Sequence, residues 1–210
     1  MARRTKDEAV RTRDAILDAA ERVFYKHGVA RTSLEEIAQA AKVTRGAVYW
    51  HFRDKIALCE AMMNRIFLPQ EDVLERLAAS ESDTPLEDLK SACCHSLHMM
   101  ASDKRRKRVV SIIMLRCEYV DEMAPMMKRR RACKDRMLER TERLFKQAQK
   151  VGHLSPHWSP HHAAIGLQAM IGGLINSALE GRKDFDLATT APACIEAFFH
   201  SLSTPTRKSR

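Results

Sequence analysis

The chain has 210 residues, with 36 Lys and Arg against 27 Asp and Glu for a net charge of +9, and is 45% hydrophobic, 30% charged and only 6% aromatic, with seven Gly and seven Pro. That profile fits one or two helix-rich domains and excludes collagen-like, low-complexity and disulfide-framework chains. No apolar run nears the roughly 18 residues of a membrane span, and no apolar core follows the basic opening of residues 1–7, so a cytoplasmic protein without a membrane partner is expected.

The charge is uneven. Residues 1–56 hold 12 Lys/Arg against 8 Asp/Glu, 57–102 hold 3 against 8, and 103–150 hold 16 against 7. A basic amino-terminal end suits a polyanion. The six cysteines form no C-x-x-C pair and read as reduced core thiols.

Arg3, Arg4 and Lys6 fall in an arm of residues 1–7, expected to be irregular and suited to a phosphate backbone. A first helix is predicted from about Glu8 to His27: Ile16, Ala19, Ala20, Val23 and Phe24 recur on one face, and Gly28 supplies a stop. Ser33 opens a short helix, with Glu36 at capping-box spacing and Leu34, Ile37, Ala38 and Ala41 on one face. The stripe breaks at Lys42-Val43, and Thr44 opens a second short helix as its N-cap. On that helix only Val48 and Phe52 read as core; Arg45, Gly46, Tyr49, Trp50, His51 and then Lys55 face outward. A short helix that is cationic, aromatic and glycine-bearing stabilises itself poorly and makes sense when presented to an anion. A helix–turn–helix whose second helix enters the DNA major groove fits, with Phe24, Leu34, Ile37, Val48 and Phe52 as the core of three helices.

Asp54 caps a predicted fourth helix, Lys55 to about Phe67, which Pro69 ends or kinks before the apolar pattern resumes through Val73, Leu74 and Leu77. Thr84-Pro85 starts a fifth. The run Val109 to Leu115 is rich in β-branched residues but has helical surroundings, and reads as a buried helix. A long amphipathic helix follows from about Glu122 to Val151, an eighth from about His161 to Leu179 and a ninth from about Ala188 to Leu202, with a frayed tail from Ser203. The expected fold class is all-α, with about nine helices.

The run from Thr44 to Leu58, Thr-Arg-Gly-Ala-Val-Tyr-Trp-His-Phe-Arg-Asp-Lys-Ile-Ala-Leu, closely resembles the DNA-binding signature of the TetR family of bacterial transcriptional regulators, as do Ala15 to Phe24 and Gly28 to Ala38. The opening Met-Ala-Arg-Arg-Thr-Lys and the Tyr49-Trp50-His51-Phe52 wording look most like that family's multidrug-efflux repressors. The resemblance covers about residues 1–66; beyond them only hints such as Cys117-Glu118-Tyr119 point to the subgroup. One departure is Lys42, where the family usually has glycine. A non-glycine residue at positive φ costs on the order of 1 kcal/mol, which a nearby phosphate would partly offset.

The resemblance implies a homodimer with a DNA-binding helix–turn–helix domain over residues 1–54, which reads a palindromic operator, and a ligand-binding and dimerisation domain over 55–210, joined to its twin through the last two helices. Ser33, Lys42, Thr44, Arg45, Gly46, Tyr49, Trp50, His51 and Lys55 are the DNA candidates. Thr44 at a helix N-terminus suits a phosphate. The Arg45 fork matches guanine O6 and N7. Gly46 allows close approach, Tyr49 and His51 donate to phosphates, and Lys55 adds charge. The carboxy-terminal part is methionine-rich, and thioethers adapt to varied apolar shapes. With the resemblance placing a pocket among helices four to eight, Met62, Ile66, Ser96, Met100, Ser111, Met114, Leu115, Met137, Gln168 and Ile171 are lining candidates for a small apolar or aromatic effector.

His153, His157, His161 and His162 have no thiol or carboxylate cluster beside them in sequence, so no metal and no cofactor is expected. No nucleophile–base motif or phosphate-cradling glycine loop points to an enzyme. The blocks Lys104 to Arg108 and Lys128 to Arg131 read as solvated helix faces. The expected function is a ligand-responsive repressor of a multidrug-efflux operon, released from its operator when an apolar compound binds. A regulator of a catabolic or lipid operon, or a ligand-independent DNA-binding factor on the same fold, is the alternative.

Overall fold

A computed structural model describes residues 2–119 and 123–203, with side chains from Lys6 onward. Among the described residues there are nine helices: α1 (Ala2–His27), α2 (Leu34–Ala41), α3 (Arg45–His51), α4 (Lys55–Ala79), α5 (Pro85–Ser102), α6 (Lys104–Leu115), α7 (Ala124–Lys150), α8 (Pro160–Leu179) and α9 (Leu187–Leu202). The all-α expectation holds, and the β-branched run Val109 to Leu115 is helical within α6.

The irregular arm expected over residues 1–7 is corrected: α1 begins at Ala2. Nothing in Ala-Arg-Arg-Thr-Lys-Asp-Glu breaks a helix, and side chains reinforce its next turns, with Arg11 donating to the Asp7 carbonyl and Thr12 to that of Glu8. The Arg3 and Arg4 side chains lie outside the described residues, as do Glu122, where the seventh helix was expected to start, and the tail beyond Ser203. Gly28 ends α1 at φ 82°, a conformation glycine adopts without steric cost.

The helices form two compact units, Met1–Leu68 with Arg105–Arg130 and Pro69–Lys104 with Arg131–Arg210. The division falls inside α4 at Pro69, which has no N–H to give the Arg65 carbonyl four residues earlier, so the helical ladder lacks one bond there. The helix nonetheless runs on to Ala79, past the end expected near Phe67.

In the first unit α1 packs on α2 and α3 around Ile16, Leu17, Ala20, Phe24, Ile37, Val48 and Phe52, all buried. Leu34, expected in this core, is only half-buried, while Leu17 is fully buried. In the second unit α5, α8 and α9 pack together, with Leu89, Leu97, Leu167, Ile195 and Phe199 inside and the Phe145 ring 6.4 Å from that of Phe199. Among the described residues, α8 is one helix long and apolar enough to cross a membrane by length and composition alone, an exception to the expectation that no stretch reaches that length. It carries Gln168 in mid-helix and Asn176 in its last turn, and buries Ala163, Ala164, Leu167 and Leu174.

Candidate nucleic-acid interface

The turn between α2 and α3 is built from two caps and one strained residue. Ser33 Oγ accepts from the Glu36 N–H at 3.2 Å, and Glu36 Oε2 accepts from the Ser33 N–H at 2.7 Å, the capping box read from the sequence. These Ser33 bonds hold the Glu36 carboxyl below the usual carboxylate range. The Ser33 hydroxyl, a DNA candidate, also donates to Glu36 Oε2 at 3.0 Å, so it works inside the cap. Lys42 ends α2 in the left-handed conformation, φ 57° and ψ 40°, the one non-glycine residue with positive φ among those described. Its N–H and that of Val43 satisfy the Ala38 and Gln39 carbonyls, so the turn keeps the geometry a glycine would give it, with an exposed lysine in its place. Thr44 caps α3, its Oγ1 accepting from the Ala47 N–H at 3.2 Å.

α3 has seven residues, and its outward face is narrower than expected: Arg45, Gly46, Tyr49 and Trp50 are exposed, whereas His51, and Lys55 at the start of α4, are half-buried. Val48 and Phe52 are buried, whereas Tyr49 is 46% and Trp50 73% exposed, the largest exposure of any bulky apolar side chain described. The Trp50 indole meets the His51 ring edge-on at 4.4 Å, and Arg13 of α1 lies over Phe52 at 5.1 Å. Burial, and then the Arg13 charge, push the His51 imidazole below its ordinary range. Arg45 lies along the exposed surface, its Nη2 3.4 Å from Tyr49 Oη, its Nη1 4.0 Å from Glu35, and its guanidinium over the Tyr49 ring at 5.4 Å. These are loose contacts that a guanine edge or phosphate can replace.

Gly46 is informative for what does not surround it. A Cβ there would meet only Thr44 Oγ1, at 3.9 Å. The fold has room for alanine, which would favour the helix by roughly 1 kcal/mol. Nothing within the fold around Gly46 therefore requires glycine.

Lys55 differs from its neighbours. Its Nζ donates to the Val29 and Ala30 carbonyls, each at 3.3 Å, so the ammonium fastens the α1–α2 connection to the start of α4. The Val29 N–H donates to the Arg116 carbonyl at 3.0 Å beyond α6, and Arg116 stacks on Tyr25 at 4.9 Å. His27, Arg31, Leu115, Arg116 and Glu118 line a shallow recess of about 210 Å³ beside this connection.

The ten effector-pocket candidates fall five to each unit. In the first, Met62, Ile66 and Ser111 are buried, Met114 is half-buried, and Leu115 is 48% exposed on the recess just described. In the second, Met100 is buried and Met137 and Ile171 are half-buried. The polar candidates there have protein partners: Ser96 accepts from Gln70 at 2.8 Å, and Gln168 donates to the Lys134 carbonyl at 3.0 Å.

The two basic blocks are solvated faces only in part: Lys104, Lys107, Lys128 and Arg131 are exposed, whereas Arg105, Arg129 and Arg130 are half-buried against their own chain. Arg105 grips Glu21 and Asp18, and Arg129 donates to Asn64 at 2.8 Å and lies 3.6 Å from Glu60. Arg130 lies over the Tyr119 ring at 5.5 Å. Among the histidines, His161 Nδ1 is 2.9 Å from Glu142, and no group of three metal-ligating side chains occurs among the described residues. The carboxylates Asp14, Asp18 and Glu21, which receive Arg65 and Arg105, were missed in the sequence, although their spacing along α1 is visible there.

Residues 16–62 match the bacterial regulatory proteins of the tetR family, and 84–204 match the carboxy-terminal region of MAATS-type transcriptional repressors. The chain belongs to the TetR family. It is a DNA-binding transcription regulator and not an enzyme. It is 41% identical over 203 residues to the HTH-type transcriptional repressor BepR of Brucella suis, covering 97% of both chains. Among solved structures it is similar to NalD, the secondary repressor of the MexAB-OprM multidrug efflux pump in Pseudomonas aeruginosa, with a TM-score of 0.84 and 37% identity over 95% of this chain and 99% of that one. It is also similar to SmeT in complex with triclosan, with a TM-score of 0.86 and 33% identity over 93% of each chain.

Proposed function

We propose that this TetR-family chain represses a multidrug-efflux operon, binding a palindromic operator as a homodimer and releasing it when a small apolar or aromatic compound occupies the carboxy-terminal domain. The observation that carries the reading is the outward face of α3: Arg45, Gly46, Tyr49 and Trp50, exposed on a helix whose glycine the fold itself does not require. Relatives named as efflux-pump repressors supply the target class, and the triclosan complex of SmeT the effector class. Division of labour follows function, with residues 1–54 on DNA and 55–210 for effector and dimer.

Arg45 leaves Tyr49 and specifies a base pair, while Thr44, Tyr49, His51 and Lys42 position the helix on phosphates. Trp50 packs on the sugar–phosphate edge or a thymine methyl. Ser33 and Lys55 act mainly by shaping the reading head, since the first closes a capping box and the second holds two carbonyls. The two half-sites lie about one DNA turn, or a multiple of it, apart. The dimer closes through α8 and α9, where Ile165 is 44% exposed and Gly172 and Gly173 are exposed. A repressor of this kind acts on the chromosome, in the cytoplasm. Effector binding favours a conformer with wrongly spaced recognition helices, and coupling of about 1–3 kcal/mol corresponds to release by about 5–150-fold.

Footprinting on DNA flanking the chain's own gene, with and without triclosan, tests the reading. A two-fold symmetric footprint that triclosan weakens is expected. An asymmetric footprint, or one indifferent to triclosan and to a panel of efflux substrates, would overturn the operator or the effector half respectively.

A further inference from the structure

α1 carries Asp14, Asp18 and Glu21 at spacings of four and three, which place them on one face. Glu21 is 2% exposed. Two guanidinium forks from different helices enter this row. Arg65 of α4 places Nη1 3.0 Å from Asp18 and 3.5 Å from Glu21, and its Nη2 contacts Asp14. Arg105 of α6 donates through Nε to both Glu21 oxygens, at 3.0 and 3.2 Å, and through Nη2 to Glu21 at 2.9 Å and to Asp18. All five residues belong to the first compact unit.

Glu21 alone of the three carboxylates is fully buried, Asp14 and Asp18 being half exposed; burying a charge and pairing exposed ones are both poor routes to stability. What the arrangement supplies is direction. A planar fork satisfied by two carboxylates tolerates little rotation, whereas an apolar contact slides. α1 is also the helix on which α2 and α3 pack, so its orientation is inherited by the recognition helix.

We propose that the Asp14–Asp18–Glu21 row, with Arg65 and Arg105, is a positioning device that fixes α1, and through it α3, on α4 and α6, and so sets the separation of the two recognition helices in the dimer. This rests on the dimeric-operator reading above. None of the five touches DNA; they act on where α3 is held rather than on what it reads.

The distinguishing measurement compares two duplexes by fluorescence anisotropy: one with both half-sites of the footprinted operator and one with a half-site scrambled. Glu21→Gln and Arg105→Gln are expected to weaken binding to the intact operator by about tenfold, within the range of ordinary site coupling. Binding to the single half-site is expected to stay within about twofold of wild type, at a temperature where circular dichroism shows full folding. Arg105→Lys, which keeps the charge and loses the fork, is expected to fall between. The Arg105 side chain is 42% exposed, so its variants keep the test available should Glu21→Gln fail to fold. Unchanged binding to both duplexes with a lower Tm would mean a merely structural network and overturn the proposal. Equal weakening on both duplexes would place the damage in the reading head and overturn it as well. A wild-type protein indifferent to the second half-site would overturn the dimeric reading and the proposal together. Wild-type discrimination retained in all the variants would overturn the proposal alone.

Discussion

Arg45 on α3 and Arg140 on α7 are the same side chain in opposite circumstances. Arg45 is 63% exposed and touches Tyr49 and Glu35 only at 3.4 and 4.0 Å. Arg140 is 17% exposed, with Nε 2.6 Å from Glu75 and Nη1 3.2 Å from Glu71, a carboxylate that is itself 5% exposed and also receives Arg136. The Glu71 carboxyl titrates below its ordinary range because the Arg136 and Cys133 hydrogen bonds and the two arginine charges outweigh its desolvation. A charge held loosely at the surface is available to a ligand. A charge satisfied on two sides by its own chain belongs to the architecture, however basic the surrounding sequence looks.

Two substitutions sharpen that contrast. Arg45→Ala is expected to weaken operator binding by roughly 5- to 150-fold and to relax preference at one base pair, while leaving Tm nearly unchanged. Gel shifts against operators permuted at each position check this; unaltered preference would mean that Arg45 only positions the helix. Arg140→Ala should do the reverse. It leaves a buried Glu71 with one fewer partner, costing on the order of 2 kcal/mol, less than the loss of a sole partner because Arg136 remains. That corresponds to roughly 4–8 °C in Tm for a chain of this size, read by thermal melts, with base preference intact. Because Glu71 is ionised more readily in the fold than in the unfolded chain, its contribution is present above pH about 4.5 and fades as acid protonates it. The variant's deficit should shrink there.

Much of the reading head was legible because its determinants are local. A capping box spans three residues, an apolar stripe four, and a missing glycine in the turn is one position; the box and the positive φ of Lys42 survive as written, while the stripe buries only Ile37 and Ala38 fully. The ion-pair networks were not legible. Arg140 meets Glu71 and Glu75 across 69 and 65 residues, and Arg105 meets Glu21 across 84. A composition window reports such arginines as a basic block whether they face solvent or a carboxylate. Pro69 shows the same limit from the other side: the sequence left open whether it ends or kinks α4, and the 25-residue helix continues through it, carrying the one lost hydrogen bond.

Lys42 brings the comparison down to a single residue that serves both roles. Its backbone is strained as a glycine's would not be, and its side chain is exposed beside the cap of α3. Lys42→Gly should stabilise the fold by about 1 kcal/mol, raising Tm by roughly 2–4 °C. It should also weaken operator binding and lower the salt dependence of log K by about one phosphate contact. Opposite signs in the two measurements separate the backbone from the ammonium. A gain in both would show the lysine to be only a strained turn residue with no part in DNA binding.

His51 gives the smallest expected effect, and its sign is fixed by the geometry. Burial and Arg13 disfavour the imidazolium in the free protein, so the folded chain protonates His51 at lower pH than the unfolded chain does. Stability should therefore decline slightly as pH falls through about 6.5, where the unfolded chain begins to take up its proton first. A phosphate beside His51 would favour the imidazolium and reverse that preference in the complex. Binding would then take up a proton, and operator affinity should rise a few-fold between pH 7.5 and 6 at constant ionic strength. His51→Asn should flatten the profile, because an amide donates to a phosphate at either pH without titrating. A wild-type profile already flat would leave His51 as a packing partner for Trp50, the ring it meets at 4.4 Å. The titrating contact on α3 would then be absent, and Thr44 and Tyr49 would carry the phosphate positioning between them.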